Sequence, residues 1–591
     1  MNNIRFSVFV CLIIAFAHGE VYGQKEGDTW VLGYYGLGIP GYSVMHLDFS
    51  NAILKIEWHL DETMLMSETA SNICDAEGEA ILWTNGMEIF GKHGVSIADS
   101  IAFVDDILGY WNWYYTEEYG PLGFPEHEGA VILPVPETNE YSILYHLAEI
   151  VGGTSFEIPK YLEARVIKNI DTTFSVLYTD SLFDSHEYFS GTLIATRHAN
   201  GRDWWIVGFE GNGKEYFSYL LDPDGIRLQR QGEIDIEMKD GVGQAAFSSR
   251  GNYIARMDAV TINEDQYITL FSFDRCNGVV ERIKSFHTGV GYFTGVAFSP
   301  SERYLYADNN KRLWQWDLWS DDITFSQALV DTFDGFVQPG WGPMQFGPLV
   351  AAPDGRIYIV PPAGSSEFMH VIERPDLPAS ECRFNQHSIN LTVPNGRSAP
   401  NLPNYRLGPL DGSPCDTLGI DNLPVARWRF EEDQPGWRYD IRFTDLSFFD
   451  PQHWHWDFGD GSTSEEIHPV HSFENGLYHV CLTVSNENGT DSTCQWVEIL
   501  PTSLEDQLDN PVSDLTIDPN PFADRVEIKS IIGTIRTASL EVFDTNGKLV
   551  LNQPRAPVPV TLYLPQLPPG MYLFRIRDND GTLYNFKVMK I

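Results

Sequence analysis

Short apolar runs separated by Gly-containing or polar turns recur through the first two thirds of the 591-residue chain. One unit reads Val296-Ala297-Phe298-Ser299-Pro300-Ser301-Glu302-Arg303-Tyr304-Leu305-Tyr306. An earlier one reads Ala246-Phe247-Ser248-Ser249-Arg250-Gly251-Asn252-Tyr253-Ile254-Ala255, and a later one Ala351-Ala352-Pro353-Asp354-Gly355-Arg356-Ile357-Tyr358. Each predicts a strand, a hairpin turn and a second strand. Comparable turns stand at Asp75-Ala76-Glu77-Gly78, Thr138-Asn139-Glu140 and Asn200-Gly201. A recurrence of about 50 to 60 residues belongs to repeat architectures such as propeller blades and predicts about seven blades, with six or eight also open. One four-stranded blade cannot bury both its faces, whereas a closed ring covers faces and edges together. A strand near Val31 to Tyr35 is positioned to complete the last blade. No sustained helical period with caps appears, so the fold class is all-β.

Two later stretches carry a different pattern. In 423–500, Tyr478, Val480, Leu482 and Val484 alternate toward one face, and Gly459 and Gly461 permit a tight turn that Asp457 and Asp460 can cap. The run Trp456-Asp457-Phe458-Gly459-Asp460-Gly461, followed by His468 to Phe473 and Gly476 to Asn486, resembles a PKD domain. The resemblance implies an Ig-like sandwich acting as a spacer or as a binder of protein or polysaccharide. Asp457 and Asp460 are also potential calcium ligands, but turn capping is the favoured reading. The final segment, 514–591, has Asp518-Pro519-Asn520-Pro521-Phe522, a hairpin pattern around Asn546-Gly547, then Pro569-Gly570-Met571-Tyr572 and a last strand with Lys587 and Lys590. It resembles the C-terminal sorting domain of the type IX secretion system, which implies passage across the outer membrane and contact with that machinery. The body at 27–415 resembles secreted Bacteroidetes-type propeller proteins, through Ile81 to Gly86, His198 to Trp205, Phe273 to Gly278 and Leu402 to Tyr405. That resemblance implies a fold and no activity.

Composition adds direction. Arg5, an apolar run from Phe6 to Ala17 and a small-residue stretch predict a secretory signal peptide at 1–23. The chain carries 39 basic and 82 acidic side chains, a net charge of −43, which disfavours nucleic acid and anionic membranes as partners. The charge is uneven: 513–591 hold eight acidic and nine basic residues, net +1, against fourteen and four, net −10, in 425–500. The segment 501–513 reads as an exposed linker. Beyond the leader's Cys11, six cysteines admit disulfides in an exported protein. Cys481 and Cys494 flank an Asn488-Gly489 turn, which sets them side by side. Cys382 with Cys415 is expected from their shared loop-rich region, leaving Cys74 with Cys276.

Candidate chemistry is sparse. No Gly-x-Ser-x-Gly elbow is present, and His127-Glu128 and His186-Glu187 lack a second histidine. The pairs Asp105-Asp106 and Asp321-Asp322 read as solvated turns, so no catalytic residue, metal site or cofactor is assigned. Trp111, Trp113 and Tyr114 lie in a long connection and are the candidate platform for stacking a sugar ring, against a packing role. Trp314, Trp316 and Trp319 alternate and are expected in a core. The resulting expectation is an exported, modular, non-catalytic binder of polysaccharide or protein. A glycan-active propeller enzyme and a structural surface component are the alternatives.

Overall fold

Six hairpins frame the first body. In each, the amide of the fourth turn residue donates to the carbonyl of the first: Gly78 to Asp75, Thr138 to Val135, Gly201 to His198, Gly251 to Ser248, Glu302 to Ser299 and Gly355 to Ala352. These are the turns spaced through the sequence. Each joins the first two strands of an antiparallel sheet, and the sheets follow one another at 69–98, 130–181, 194–233, 245–290, 296–332 and 349–395. A further sheet, Thr29–Gly33, Val44–Asp48 and Lys55–His59, precedes them, giving seven blades among the described residues. The computed structural model describes residues 25–34, 44–50, 54–59, 66, 68–98, 128–151, 155–170, 173–182, 192–210, 213–235, 243–258, 265–291, 294–433, 439–499, 515–519, 522–530, 537–544, 549–568, 570–578 and 583–590. Among the described residues the only helical turns are 3-10 segments at Lys92–Gly94 and Ile323–Ser326.

The blades form a ring because every neighbouring pair shares an apolar cluster. Val31 and Val44 of blade one meet Trp83 and Phe90 of blade two. Blades two, three and four share one core, with Leu82, Ile132 and Trp204 among its members. Trp205 and Phe209 pack with Phe271, Met257 with Trp316, and Tyr306 with Ile359 at the next three interfaces. Trp30 and Met45 meet Tyr358 and Met369 where blade seven returns to blade one. Second strands such as Trp204–Phe209 are buried along their whole length, because alternate residues face opposite neighbours: Trp204 and Ile206 one way, Trp205 and Val207 the other.

Closure uses chain separated by more than 360 residues: the Gly396 amide donates to the Gly33 carbonyl, and Gly33 donates in turn to Ser398 Oγ, a separation of 365. Ala399–Pro400 then runs parallel to Thr69 and Ala70, in the position of an innermost strand. The strand expected near Val31 does not complete the last blade: it is Thr29–Gly33, paired with Val44–Asp48 in blade one, because blade seven already has four strands of its own at 349–395. The late segment 396–400 lies along the edge of Thr29–Gly33.

Two small sandwiches follow. The first has one sheet of Trp428–Glu432, Asp440–Asp445 and Val470–Ser472, and another ordered Thr463–Ser464, His453–Asp457, Gly476–Ser485, Thr490–Ile499. Phe443 packs against Trp456, Phe458 and Phe473 with ring centroids 5.4 to 6.1 Å apart. The last module sets Leu515–Asp518, Arg525–Ser530 and Val560–Tyr563 against Leu549–Pro557, Thr537–Asp544, Gly570–Asp578 and Leu583–Lys590, around Val526, Leu540, Phe574 and Val588.

The tryptophans of blade six divide. Trp316 is in the core and Trp314 is partly buried beside it. Trp319, expected to pack inside, is exposed, because its strand ends at Asp317 and the Trp319 amide turns back onto that carboxylate.

Candidate functional site

A propeller's axis is where a ligand most readily finds convergent polar groups. Here the chain itself occupies that region. Asn401 follows the closing strand: its amide donates to Ala70 O at 2.8 Å, and its Nδ2 donates to Ala130 O and Leu193 O at 2.9 and 2.8 Å. One residue thus links blades two, three and four, through its backbone amide to the first and its side chain to the other two. Gln244 does the same across the other half of the ring. Its Oε1 accepts from Val296 N and Leu349 N, both at 3.1 Å, and its Nε2 donates to Leu349 O at 2.9 Å, joining blades five, six and seven. Close approach is needed there: a Cβ on Gly295 would stand 2.4 Å from Leu349 N.

Beyond Asn401 the chain leaves along the hairpin-turn face. Tyr405 is buried and donates its hydroxyl to Ile132 O at 2.7 Å, with its ring edge-on to Trp204. Arg197 spreads over Trp204, 3.8 Å from the ring centre, and donates to Tyr405 O. Arg275 donates to four carbonyls, those of Arg197, His198, Arg250 and Gly408. Burial pushes both the Arg197 and Arg275 guanidinium pKa values down to about 10, so each remains charged at neutral pH. Asp28 receives both Arg406 and Arg427, tying the start of the ring to the segment that leaves it. Cys276, in a turn of blade five, is disulfide-bonded to Cys415 in that same departing segment.

This pairing corrects the expected one. Cys415 joins Cys276 in place of Cys382, with Cα atoms 5.6 Å apart, and Cys382 and Cys74 are buried free thiols. Burial pushes the Cys74 thiol up to about 12 and the Cys382 thiol up to about 11, which leaves both protonated and inert at neutral pH. Cys74 therefore does not pair with Cys276. Cys481 and Cys494 are joined across adjacent strands, Cα atoms 4.1 Å apart. His479 brings a ring nitrogen into the same cluster, within 4.8 Å of both sulfurs, but the sulfurs are spent on each other.

The other sequence-predicted residues fall as follows. Trp111, Trp113 and Tyr114 lie outside the described residues, as do the segments 1–23 and 501–513, the pair Asp105-Asp106 and the His186-Glu187 pair. Asp322 accepts from Thr324 N at 3.0 Å and caps the short 3-10 turn. In the first sandwich, Trp456 is buried and donates to Glu466 O. Asp457 accepts from the Gly459 amide, and Asp460 from the Ser462 amide and His471. Those contacts hold the Asp460 carboxyl below its usual range against the opposing cost of burial. Gly459 and Gly461 have positive φ, and a Cβ on Gly459 would stand 2.7 Å from His479 O.

In the last module, Tyr572 donates its hydroxyl to Pro568 O at 2.8 Å and Gly570 has φ +151°. Pro519 is exposed, and Lys587 pairs with Leu573 in the strand register. Lys590 is buried: its ammonium donates to Ala523 O and lies 5.4 Å from the Phe522 ring centre. Asn520, Pro521 and Gly547 lie outside the described residues. Sequence reasoning missed the axial amides, Arg275 and the Asp28 cluster. The signal was thin: single polar residues with no periodicity.

Residues 424–500 match the PKD domain family, and residues 516–590 match the secretion system C-terminal sorting domain family. No curated protein matches the chain. Among solved structures, the PKD1 domain of the Vibrio cholerae metalloprotease PrtV is 28% identical, covering 13% of this chain and 96% of its own, with a TM-score of 0.12. A putative 6-phosphogluconolactonase from Bacteroides uniformis is 13% identical over 63% of this chain and 98% of its own, TM-score 0.35. The periplasmic gluconolactonase PpgL of Pseudomonas aeruginosa is 12% identical over 67% and 95%, TM-score 0.21. The sorting domain makes this an exported protein of the type IX route, secreted or held at the cell surface. Among the described residues no helix is long and apolar enough to cross a membrane.

Proposed function

We propose that this protein is a non-catalytic binder of polysaccharide or protein outside the cell, displayed by a rigid propeller and delivered by its terminal module. The observation that supports this reading is the filled axis. Asn401 and Gln244 spend their hydrogen-bonding groups on the innermost strands, so the ring behaves as a solid platform whose loops and outer surfaces do the binding. Trp111 and Trp113 are the proposed stacking residues, since an indole face offers a sugar ring a large apolar contact at little entropic cost.

The test is a glycan and protein array probed with the full chain, alongside the Trp111→Ala/Trp113→Ala variant. Saturable binding to one ligand class, weakened at least about tenfold in the variant, is the expected outcome. Turnover of a glycan by the purified chain would replace this reading with the enzymatic one.

A further inference from the structure

The four-stranded sheet of the terminal module turns one face away from the core. In the four-stranded sheet, Leu540 and Val542 of Thr537–Asp544, Phe574 and Ile576 of Gly570–Asp578, and Ala556 of Leu549–Pro557 point into the core. The strand period of two sends their neighbours outward. In register these are Ser539 beside Arg577, Glu541 beside Arg575, and Phe543 beside Leu573. Arg555 sits at the irregularity between Ala538–Ala556 and Leu540–Gln553 pairs, next to Ser539. The face therefore gathers Arg575 and Arg577 on Gly570–Asp578 and Arg555 on Leu549–Pro557, the two strands that flank Thr537–Asp544. Arg577 and Arg555 are exposed. Arg575 lies over the Phe543 ring, 5.0 Å from its centre, and 4.0 Å from the Glu541 carboxylate.

We propose that this face is the surface by which the export machinery grips the module, and that it fits an acidic protein partner. The inference rests on the module being the sorting signal. Charge distribution supplies the argument. The whole chain carries −43 and residues 513–591 carry +1, so residues 1–512 carry −44. An acidic partner is repelled by nearly all of the cargo and attracted at one patch, which orients the encounter tail first. Screening confines that attraction to contact range, about 8 to 10 Å. A lipid or polyanion surface is the less favoured occupant, because the face also presents Glu541 and the Phe543 ring among its arginines, which a uniformly anionic surface does not match. Arg575 over a half-buried Phe543 gives the mixed aromatic and guanidinium composition of protein interfaces.

The experiment is cell fractionation of a host with a working type IX system making the full chain as Arg555→Glu/Arg577→Glu, with Arg555→Lys/Arg577→Lys beside it. Both side chains are exposed, so the melting profile of the purified variants should match the parent. The reversed variant should accumulate in the periplasm, with surface or secreted protein falling at least about tenfold, while the lysine variant is exported. Normal export of the reversed variant would overturn the proposal, and so would failure of the lysine variant. Should the reversed variant melt early, Arg577→Gln alone is read the same way. Co-sedimentation of the parent, but not the reversed variant, with vesicles containing anionic lipopolysaccharide would assign the face to a lipid surface and also overturn it. Removal of residues 515–591 separates the two layers: a truncation exported normally sinks the sorting reading itself. A trapped truncation with an exported charge reversal sinks only this face.

Discussion

The ring and the terminal module solve the same problem, burying strands on both sides, with opposite means. The ring is closed by contacts 365 residues apart in sequence, and its centre is held by amides and guanidinium groups bonded to carbonyls. The module closes within eighty residues around aliphatic and aromatic side chains, with Lys590 as its buried cation. The difference teaches where each is vulnerable. Loss of one polar staple in the ring releases contacts between many blades, whereas the module answers to its own local packing. A delivery signal with its own hydrophobic core suits a shared secretion route.

The largest effect confined to the ring should come from its own disulfide, set against the one in the first sandwich. Cys276–Cys415 spans 139 residues and Cys481–Cys494 spans 13. Chain entropy assigns about 5 kcal/mol to the first and about 3 kcal/mol to the second. Calorimetry of the double serine variants should lower the ring transition for Cys276/Cys415 and leave it in place for Cys481/Cys494; equal effects on the ring would break the distinction. Next in size is Tyr405→Ala, which removes a buried ring and its bond to Ile132 O. The expected cost is about 3 to 5 kcal/mol in the ring alone, and an unchanged ring transition would show that the departing segment merely lies on the surface.

A pH scan sharpens the contrast further. Asp308 is fully buried, accepting from the Gly295 and Asn310 amides, and burial pushes its carboxyl up to about 8 from 3.8. Its folded-state pKa is above its unfolded one, so the stability it contributes is complete below about 4 and is lost as pH rises through about 8. The ring's melting temperature should fall by several degrees between pH 5 and pH 8.5, with Asp308→Asn flattening the slope. A wild-type slope retained in that variant would assign the effect elsewhere. The smallest change should be Lys590→Met, about 1 to 3 kcal/mol confined to the terminal module, read by proteolysis of 515–591 against an unaltered ring.

Much of this organisation was legible in the residues. The six hairpin turns mark six blades because a tight turn puts a left-handed residue near its end, here Gly78, Gly201, Gly251 and Gly355, with Glu137 and Glu302 taking it in the other two. The Asn488-Gly489 turn likewise made the Cys481–Cys494 pairing readable. Cys276–Cys415 was not readable, because it depends on where the chain travels after closing the ring, and that path is fixed by Asn401, Tyr405 and Arg275 contacting carbonyls. Carbonyls are common to every residue and leave no trace in side-chain pattern. Trp319 was misassigned because it stands one position out of phase with Trp314 and Trp316, beyond Asp317 where the strand ends. The candidate platform at Trp111, Trp113 and Tyr114 rests on composition alone.

The most direct measurement is the location of the protein after removal of residues 515–591, by fractionation of periplasm, outer-membrane surface and medium. The account predicts a folded ring retained in the periplasm. Delivery of that truncation to the surface or medium at the parent's level would contradict it.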